Sequence, residues 1–326
     1  MKKNINNNIK IGNTPMIKIR YQYNGNERYV YAKLEAYNYS GSIKDRVAYY
    51  IIKKAYETGE LKKGMTIVEA TSGNTGIALA AIGKLFANPV KIFMPDWVSK
   101  ERSDILKSYD ADVVLISKKD GGFLKALEKA EKYAKENNGF YSRQFENQNN
   151  LLAHYETTGE EILNTMKGEV GGFVSGIGTG GTLIGVAKKL KENNSNTKIY
   201  ALEPDKMPLI SQNRIIGDHK IEGIGDEFIP KIVDRKLIDK TILINDDDAI
   251  NMARKIYSDL KIGVGISSGA NILASIIANE ENNGNIVTVF PDDNKKYLST
   301  DLSKNVDNNP NYLSNKVKLI DYIFVK

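Results

Sequence analysis

The sequence predicts an α/β protein with two lobes, each formed by a mainly parallel, twisted sheet with flanking helices. From Thr66 onward, short β-branched runs alternate with amphipathic helical stretches, a pattern that is typical of βαβ units. The chain has 326 residues, which suits two domains of ordinary size better than one. Two packed lobes would leave a cleft between them.

Six hydrophobic runs are interpreted as strands. They span residues 67–68, 90–94, 113–116, 173–174, 199–202 and 286–290. The first three runs precede Gln144 and the last three follow it, with the polar segment 147–150 between the two groups. We therefore expect the boundary between the lobes near 147–150. The Asn-rich tail from Asn305 to Asn315 is predicted to lie on the surface.

Composition excludes several classes of protein. Cysteine is absent and only His154 and His219 are present, so neither disulfides nor a thiolate or histidine-rich metal site is expected. Asn4 to Asn8 is polar where a signal peptide would be apolar, and no apolar run approaches the roughly 18 residues that span a bilayer. The net charge of +6 comes from scattered lysines and arginines. We expect a cytoplasmic protein without a membrane or nucleic-acid partner.

The first candidate functional turn, residues 40–46, opens a predicted helix and contains Lys44. The apolar positions of this helix recur every three or four residues and define one buried face; they are Val47, Ala48, Ile51, Ile52 and Ala55. Lys44 shares that face and lies at the positive end of the helix. Burial and the helix dipole would both lower its pKa, as a Schiff-base lysine requires. The alternative is a lysine that reaches out to water, which this segment alone favours.

The second turn joins a strand that ends near Glu69 to a helix that starts near Ile77. It consists of Thr71, Ser72, Gly73, Asn74, Thr75 and Gly76. Hydroxyls, an amide and the free N–H groups of a helix start converge there, which predicts an anion site, most naturally for a carboxylate. Simple N-capping is the alternative, but it would need one such residue and not five.

The third turn, residues 176–182, is glycine-rich and follows the strand 173–174. It is interpreted as a phosphate site made of backbone N–H groups. Gly176, Gly178 and Gly181 also form a G-x-G-x-x-G pattern, and Glu203 follows 22 residues after Gly181. That combination fits a dinucleotide fingerprint, and alone it would favour a nicotinamide-dependent oxidoreductase.

The fourth turn, residues 263–270, leads into an apolar helix from Ile272 to Ala278. A hydroxyl of Ser267 or Ser268 could contact a heteroatom of a ligand. Either serine could equally be an ordinary helix cap, so this turn by itself decides nothing.

Together these segments resemble the cysteine synthase and cystathionine β-synthase family of fold-type II pyridoxal-phosphate enzymes, whose fold is similar to the β chain of tryptophan synthase. The resemblance runs from 12–15 to 297–300, nearly the whole chain. Further matching segments are 94–95, 99–102, 144–145, 154–159, 223–225 and 228–230. So many ordered matches make coincidence negligible.

The resemblance implies a role for each turn. Lys44 would hold pyridoxal 5'-phosphate as a Schiff base, and Asn74 would bond the phenolic oxygen of the coenzyme. The substrate would be bound by Thr71, Ser72, Gly73, Asn74, Thr75, Gln144 and Gly223. The phosphate would be bound by Gly178, Thr179, Gly180, Gly181 and Thr182. Ser267 would face the pyridine nitrogen, and its neutral hydroxyl favours loss of a β-substituent over transamination.

The family fold also implies a smaller mobile lobe at 39–149, which carries Lys44, and a larger lobe formed by 1–38 plus 150–326. A homodimer is usual in the family. The implied reaction is β-elimination and β-replacement on a serine- or cysteine-type amino acid, through an aminoacrylate intermediate.

The sequence departs from the family pattern at Asp226 and Glu227, where sulfide-using cysteine synthases carry small neutral residues. An acid there would position water and repel hydrosulfide. We therefore predict conversion of L-cysteine and water to L-serine and hydrogen sulfide, with Asp226 as the catalytic candidate and Glu227 as the reserve. The alternatives are a cysteine synthase that uses O-acetylserine and sulfide, a cystathionine- or lanthionine-forming enzyme, the oxidoreductase, and a catalytically silent relative.

Overall fold

A computed structural model describes residues 9–304 and 309–325. The strands are β1 (Met16–Tyr23), β2 (Asn26–Leu34), β3 (Ile67–Ala70), β4 (Val90–Pro95), β5 (Asp112–Ile116), β6 (Phe140–Tyr141), β7 (Gly172–Gly176), β8 (Lys198–Pro204), β9 (Lys240–Ile244), β10 (Ile286–Phe290) and β11 (Lys318–Phe324). They form a seven-stranded sheet in the order β11-β1-β2-β10-β7-β8-β9 and a four-stranded sheet in the order β5-β4-β3-β6.

The helices connect these strands and cover the sheets. They are α1 (Lys44–Thr58), α2 (Asn74–Leu85), α3 (Lys100–Ser108), α4 (Gly122–Glu136), α5 (Gln148–Ala153), α6 (Glu160–Met166), α7 (Gly181–Asn193), α8 (Leu209–Gln212), α9 (Asp246–Leu260), α10 (Ile266–Glu281) and α11 (Leu313–Lys316). A π-helical turn, His154–Gly159, lies between α5 and α6. Four 3-10 turns span Glu35–Tyr37, Arg235–Leu237, Asn294–Tyr297 and Asp301–Ser303.

The predicted α/β class is confirmed, and the six predicted strands correspond to β3, β4, β5, β7, β8 and β10. All pairs within the four-stranded sheet are parallel. The sequence did not reveal β1, β2, β6, β9 and β11. The larger sheet is mixed because β1 is antiparallel to both β2 and β11.

Each sheet has its own hydrophobic core. Buried residues of α1 and α2, such as Ile52 and Ile77, pack with Ile67 of β3 and Ile92 of β4. Separate clusters lie on the seven-stranded sheet. The four-stranded sheet falls inside the predicted smaller lobe, 39–149, but the boundaries and mobility of that lobe remain a prediction.

The two ends of the chain are described in part. Asn4 to Asn8 and residues 305–308 lie outside the described residues. In the rest of the Asn-rich tail, residues 309–311 are exposed, while Ser314 of α11 is buried and its N–H donates to Asp248 Oδ1 (2.9 Å). Across 9–304 and 309–325, no helix combines the length and the apolar character needed to cross a bilayer.

Candidate active site

A cleft of about 890 Å³ lies where residues from both sheets meet. Part of its wall comes from the turns that follow β3 and β7, where helices α2 and α7 begin. The carboxyl ends of parallel strands and the adjoining helix starts are the usual place for ligands in such folds, because unpaired N–H groups point outward there. The cleft is therefore the candidate active site.

Lys44 is the first residue of α1, and its side chain lines the cleft. Backbone contacts fix the preceding segment to the residues that follow β10. The Ile43 N–H donates to Pro291 O (2.9 Å), and Ser42 and Asp292 form an isolated antiparallel β-bridge. Burial lowers the pKa of Lys44 to about 8, although the negative charge of Asp226 opposes this shift. A lysine with such a pKa is partly neutral near neutral pH, and so it is able to act as a nucleophile and as a base.

The apolar positions of α1 are buried as predicted, since Val47, Ala48, Ile51, Ile52 and Ala55 all belong to the core. Lys44 itself is partly exposed, but it faces the same cleft as the glycine loop at 178–182. The alternative in which Lys44 reaches away into water is therefore not what the structure shows.

The predicted substrate turn also lines the cleft. The turn contributes Thr71, Ser72, Gly73, Asn74 and Thr75, and Gln144 lines the cleft as well. Thr75 Oγ1 donates to Gln144 Oε1 (2.6 Å), and Gln144 Nε2 donates to Ala70 O (2.9 Å). These contacts leave one side-chain N–H of Gln144, together with the free N–H groups at the start of α2, for an anionic ligand.

Glu69 supports this turn from behind, and sequence reasoning missed it. Its carboxylate accepts hydrogen bonds from the backbone N–H of Gln144 (3.0 Å) and from Ser142 Oγ (2.6 Å). Burial raises the pKa of Glu69 to about 7, although these hydrogen bonds oppose the shift. A carboxyl at the end of a buried strand was the available signal, but its partners lie 73 and 75 residues away.

The predicted phosphate loop is only partly brought to the cleft. Gly178, Thr179, Gly180 and Thr182 line it, whereas Gly181 does not. Gly181 packs against Asn150, where a Cβ would come within 2.0 Å of Asn150 Oδ1. Gly180 has φ +86°, a left-handed conformation that favours glycine, and a Cβ there would lie 2.5 Å from Val233.

His154 lies behind this loop, and the sequence analysis assigned it no role in the site. Its Nε2 lies 3.2 Å from Thr182 Oγ1, and its Nδ1 lies 2.9 Å from Thr158 Oγ1. Burial and the charges of Lys44 and Arg46 lower the pKa of His154 well below its ordinary value. A neutral imidazole held in this way orients the hydroxyl of Thr182.

The structure distinguishes the two serines at the start of α10. Ser267 lines the cleft, whereas Ser268 is fully buried and is not among the lining residues. One turn later, Asn271 accepts a hydrogen bond from the Gly176 N–H (3.0 Å) and donates to Val289 O (2.8 Å). Asn271 therefore fixes the start of α10 against β7 and β10, and with it the position of Ser267.

The loop with the two acids, Asp226 and Glu227, forms a further part of the wall. The Gly225 N–H donates to Ile177 O (2.8 Å), and a Cβ on Gly178 would lie only 2.4 Å from Gly223 O. This close approach requires glycine at 178 and places the acid loop beside the predicted phosphate loop. Gly223, Asp226 and Glu227 all line the cleft.

The two acids differ in their environment. Asp226 is half-buried and Glu227 is exposed. Burial raises the pKa of Asp226 to about 6, while the nearby charge of Lys44 opposes the shift. Asp226 is thus the acid that interacts with Lys44.

The comparisons with known proteins decide the family. A model of the family described as "Pyridoxal-phosphate dependent enzyme" matches residues 8–292. The chain belongs to this family. The cysteine synthase of Staphylococcus aureus is 41% identical over 295 residues, which cover 90% of this chain and 94% of that protein. The chain is therefore a cysteine synthase-like, β-replacing enzyme of this family.

Solved structures agree in fold. The hydrogen sulfide-producing enzyme of Fusobacterium nucleatum has a TM-score of 0.91 and 48% identity, covering 95% of this chain and 94% of that one. An aspartate-to-asparagine mutant of that enzyme, in complex with an α-aminoacrylate intermediate, has a TM-score of 0.92. A cysteine synthase of Entamoeba histolytica has a TM-score of 0.86 and 40% identity, covering 95% and 94%.

These findings confirm pyridoxal 5'-phosphate as the cofactor and the fold-type II architecture. The G-x-G-x-x-G pattern is therefore part of a pyridoxal-phosphate enzyme, and its interpretation as a dinucleotide fingerprint was wrong. The cleft fits the coenzyme: the Lys44 amine suits its aldehyde, a loop that excludes side chains at Gly178 and Gly180 suits a phosphate, and the hydroxyl of Ser267 suits a pyridine nitrogen. When bound, the coenzyme withdraws electrons from the substrate, so that the Cα proton and the β-substituent become able to leave.

Proposed function

We propose that this enzyme converts L-cysteine and water to L-serine and hydrogen sulfide, with Asp226 as the base that activates water. The observation that supports this proposal is a half-buried carboxylate on the cleft wall whose charge interacts with that of Lys44. A cysteine synthase has to admit the hydrosulfide anion, and a carboxylate at this position opposes its entry.

In the proposed complex, the substrate carboxylate is bound by the turn from Thr71 to Thr75 and by Gln144. The free N–H groups and hydroxyls of that turn are suited to an anion. Lys44 then lies at the Cα of the substrate, with Asn74 and Ser267 as the proposed partners of the coenzyme's phenolic oxygen and ring nitrogen. Gly178 to Thr182 are proposed to hold the phosphate.

The proton and bond changes balance. The Lys44 amine takes the Cα proton, the Cβ–S bond breaks, and the sulfur leaves as hydrosulfide, which takes up one proton from solvent to become hydrogen sulfide. Water then forms the new C–O bond at Cβ while Asp226 accepts a proton from that water. Lys44 returns its proton to Cα, and the Asp226 proton passes to solvent. No oxidant or further reactant is needed.

The pKa of Asp226, raised to about 6 by burial, suits this role. At neutral pH the carboxyl is mostly ionised, yet it is more basic than an ordinary aspartate, and a general base is most effective when its pKa lies near the working pH. Glu227 is exposed, so solvent screens its charge and it is the weaker candidate.

The hydrogen sulfide-producing relative supports the same reaction. Its aspartate-to-asparagine mutant was captured with the α-aminoacrylate intermediate. That result is expected if a carboxylate in that enzyme promotes the step that consumes the intermediate.

Cysteine synthesis from O-acetylserine and sulfide is the second candidate. It is favoured by the cysteine synthase of Staphylococcus aureus, which is 41% identical over 90% of this chain. Both reactions begin with the loss of a β-substituent, but the leaving group and the incoming nucleophile differ. Sulfide leaves and water adds in the first reaction, whereas acetate leaves and sulfide adds in the second.

Incubation in water labelled with oxygen-18 separates the two candidates. With L-cysteine alone, we expect hydrogen sulfide together with serine that carries one labelled hydroxyl oxygen, identified by mass. We expect Asp226→Asn to reduce serine formation by about 10²–10⁴-fold, the range for loss of a general base. The matched variant Glu227→Gln should retain most of the activity.

Two results would refute the proposal. One is labelled serine forming at an undiminished rate in Asp226→Asn. The other is the absence of serine from cysteine in an enzyme that makes cysteine efficiently from O-acetylserine and sulfide.

Closure of the segment 39–149 on the substrate and assembly as a homodimer are proposed from the family resemblance. Trp97 is the single tryptophan of the sequence and lines the cleft, so its fluorescence should change when L-serine binds if this segment closes. Light scattering on the purified enzyme tests the dimer, and cell fractionation tests the cytoplasmic location.

A further inference from the structure

Beside the cleft, a buried lysine and a buried aspartate hold the side-chain amide of Asn74 from two sides. We infer that Lys296 and Asp292 are positioning residues that fix this amide with an N–H directed at the coenzyme. We call these two residues the amide clamp. The inference rests on the role proposed above for Asn74, the bonding of the coenzyme's phenolic oxygen.

The contacts of the clamp define the orientation of the amide. Lys296 Nζ donates to Asn74 Oδ1 (3.0 Å), and Asn74 Nδ2 donates to Asp292 Oδ2 (2.7 Å). The Asn74 Nδ2 group carries two hydrogens, so one N–H remains after the bond to Asp292. Asn74 lines the cleft, whereas neither Lys296 nor Asp292 does. The clamp can therefore act on the coenzyme only through Asn74.

Both members of the clamp are themselves fixed. Lys296 is 4% exposed, and its Nζ also donates to Gly41 O (3.0 Å). Asp292 is 1% exposed and accepts a second hydrogen bond from the Tyr297 hydroxyl (2.8 Å). Ser99 Oγ donates to Lys296 O (2.8 Å) at the start of α3. The clamp thus joins the segment before Lys44, the starts of α2 and α3, and the segment after β10.

The charges of Lys296 and Asp292 favour one of the two flip orientations of the Asn74 amide. If the amide of Asn74 flipped, its oxygen would face the Asp292 carboxylate and its NH₂ group would face the Lys296 ammonium, and both contacts would be repulsive. A flipped amide would also turn an acceptor toward the coenzyme's phenolic oxygen. A cation on Oδ1 further polarises the amide, which makes the remaining N–H a stronger donor in a site of low dielectric.

The test measures the loaded enzyme without substrate. Lys296→Met removes the cation but keeps much of the volume. We expect it to weaken coenzyme affinity by about tenfold, the equivalent of one hydrogen bond to a charged group. We also expect a displaced pH midpoint for the coenzyme's visible absorption band. Lys296→Arg should restore part of both properties, because it retains the charge.

Matched variants separate positioning from a general loss of structure. Lys295 is the adjacent lysine, with 84% of its side chain exposed, and Lys295→Met should behave as wild type. In an Asn74→Ala background, Lys296→Met should cause no further change in the band, because the group through which it acts is gone. If Lys296→Met does not fold, Asp292→Asn provides the same test from the other side of the amide.

Three outcomes would overturn the inference. The first is an unchanged band and affinity in both Lys296→Met and Asp292→Asn. The second is the same shift for Lys296→Met with and without Asn74. The third is an unchanged band in Asn74→Ala itself. None of these readouts involves cysteine, sulfide or serine, so they are independent of whether water is the nucleophile in the proposed reaction.

Discussion

Helix α1 contributes Lys44 and Arg46, two positions apart, to two different groups of charged residues. The charges of one group pair directly with each other, and those of the other group do not. The first group, which we call the charge quartet, consists of Lys33, Glu35, Arg46 and Glu161. Arg46 Nε donates to Glu35 Oε2 (2.7 Å) and Arg46 Nη2 donates to Glu161 Oε2 (2.8 Å), while Lys33 Nζ lies 2.5 Å from Glu161. The second group is Lys44 and Asp226, which face the cleft and form no direct ion pair within the described residues.

The carboxyl pKa values of the two groups move in opposite directions. Burial alone would raise the pKa of Glu161, but the hydrogen bonds and charges of Arg46 and Lys33 lower it to about 2. In the cleft, burial prevails over the mutual attraction and brings the pKa of Lys44 to about 8 and that of Asp226 to about 6. Direct pairing therefore keeps the carboxylates of the quartet ionised, whereas burial without a direct partner leaves the cleft residues able to exchange protons.

The largest effect is expected from Lys44→Ala, which removes the amine that holds the coenzyme and moves the Cα proton. Product formation should fall by more than about 10³-fold, since a covalent anchor and a general base are lost together. The visible band that borohydride removes should be absent from this variant. Lys53→Ala is the matched control, because Lys53 lies on the same helix with half of its side chain exposed. Residual turnover near the wild-type rate would contradict the assignment of Lys44.

Arg46→Met should lower stability rather than alter the chemistry directly. Among the described residues, it leaves Glu35 and Glu161 with only Lys33 as a cationic partner. The removal of one partner from a buried ion pair typically costs about 3–5 kcal/mol. Urea unfolding of the coenzyme-free protein measures this loss. Arg46→Lys retains the charge but not the two-pronged contact, so it should fall between Arg46→Met and wild type. A free energy of unfolding close to wild type in Arg46→Met would show that the charge quartet does not stabilise the fold.

The same contrast explains what the sequence could and could not reveal about the site. Lys44, the Thr71–Thr75 turn and Ser267 each lie at the start of a helix, so a short segment carries both the chemistry and the local structure that presents it. The quartet and the amide clamp have no such segment. Arg46 and Glu161 are 115 residues apart, and Asn74 is 222 residues from Lys296. Only the folded chain brings these residues together.

The fold follows a similar rule. Strands β3, β4 and β10 are buried along nearly their whole length, so their sequences are mainly apolar and rich in β-branched residues. Strand β1 alternates lysine and arginine with apolar residues, and its outer positions are only partly buried. Strands β2 and β11 begin with exposed polar residues. Such half-exposed antiparallel strands give a weaker signal, because a short alternating run also occurs in surface loops and helices.

The pH dependence of serine formation tests whether Asp226 exchanges a proton during the reaction. Asp226 acts as a base only when it is ionised, so the rate from cysteine should rise with pH through about 6, the pKa that burial gives this carboxyl. Below that pH, the rate should fall about tenfold per unit. Glu227→Gln should keep this limb of the profile and Asp226→Asn should lose it. A limb that persists in Asp226→Asn belongs to another group.

The smallest effect is expected at the rim of the cleft, where Lys118 and Asp218 form an ion pair of 2.7 Å. This pair is as direct as those of the quartet, but the two side chains are 62% and 86% exposed. If an ion pair stabilised the fold regardless of its burial, Lys118→Met would lower the free energy of unfolding as much as Arg46→Met. We expect no measurable change in urea unfolding, because water solvates the remaining carboxylate and salt screens the pair. A loss comparable to that of Arg46→Met would show that pairing, and not burial, determines which charges stabilise this fold.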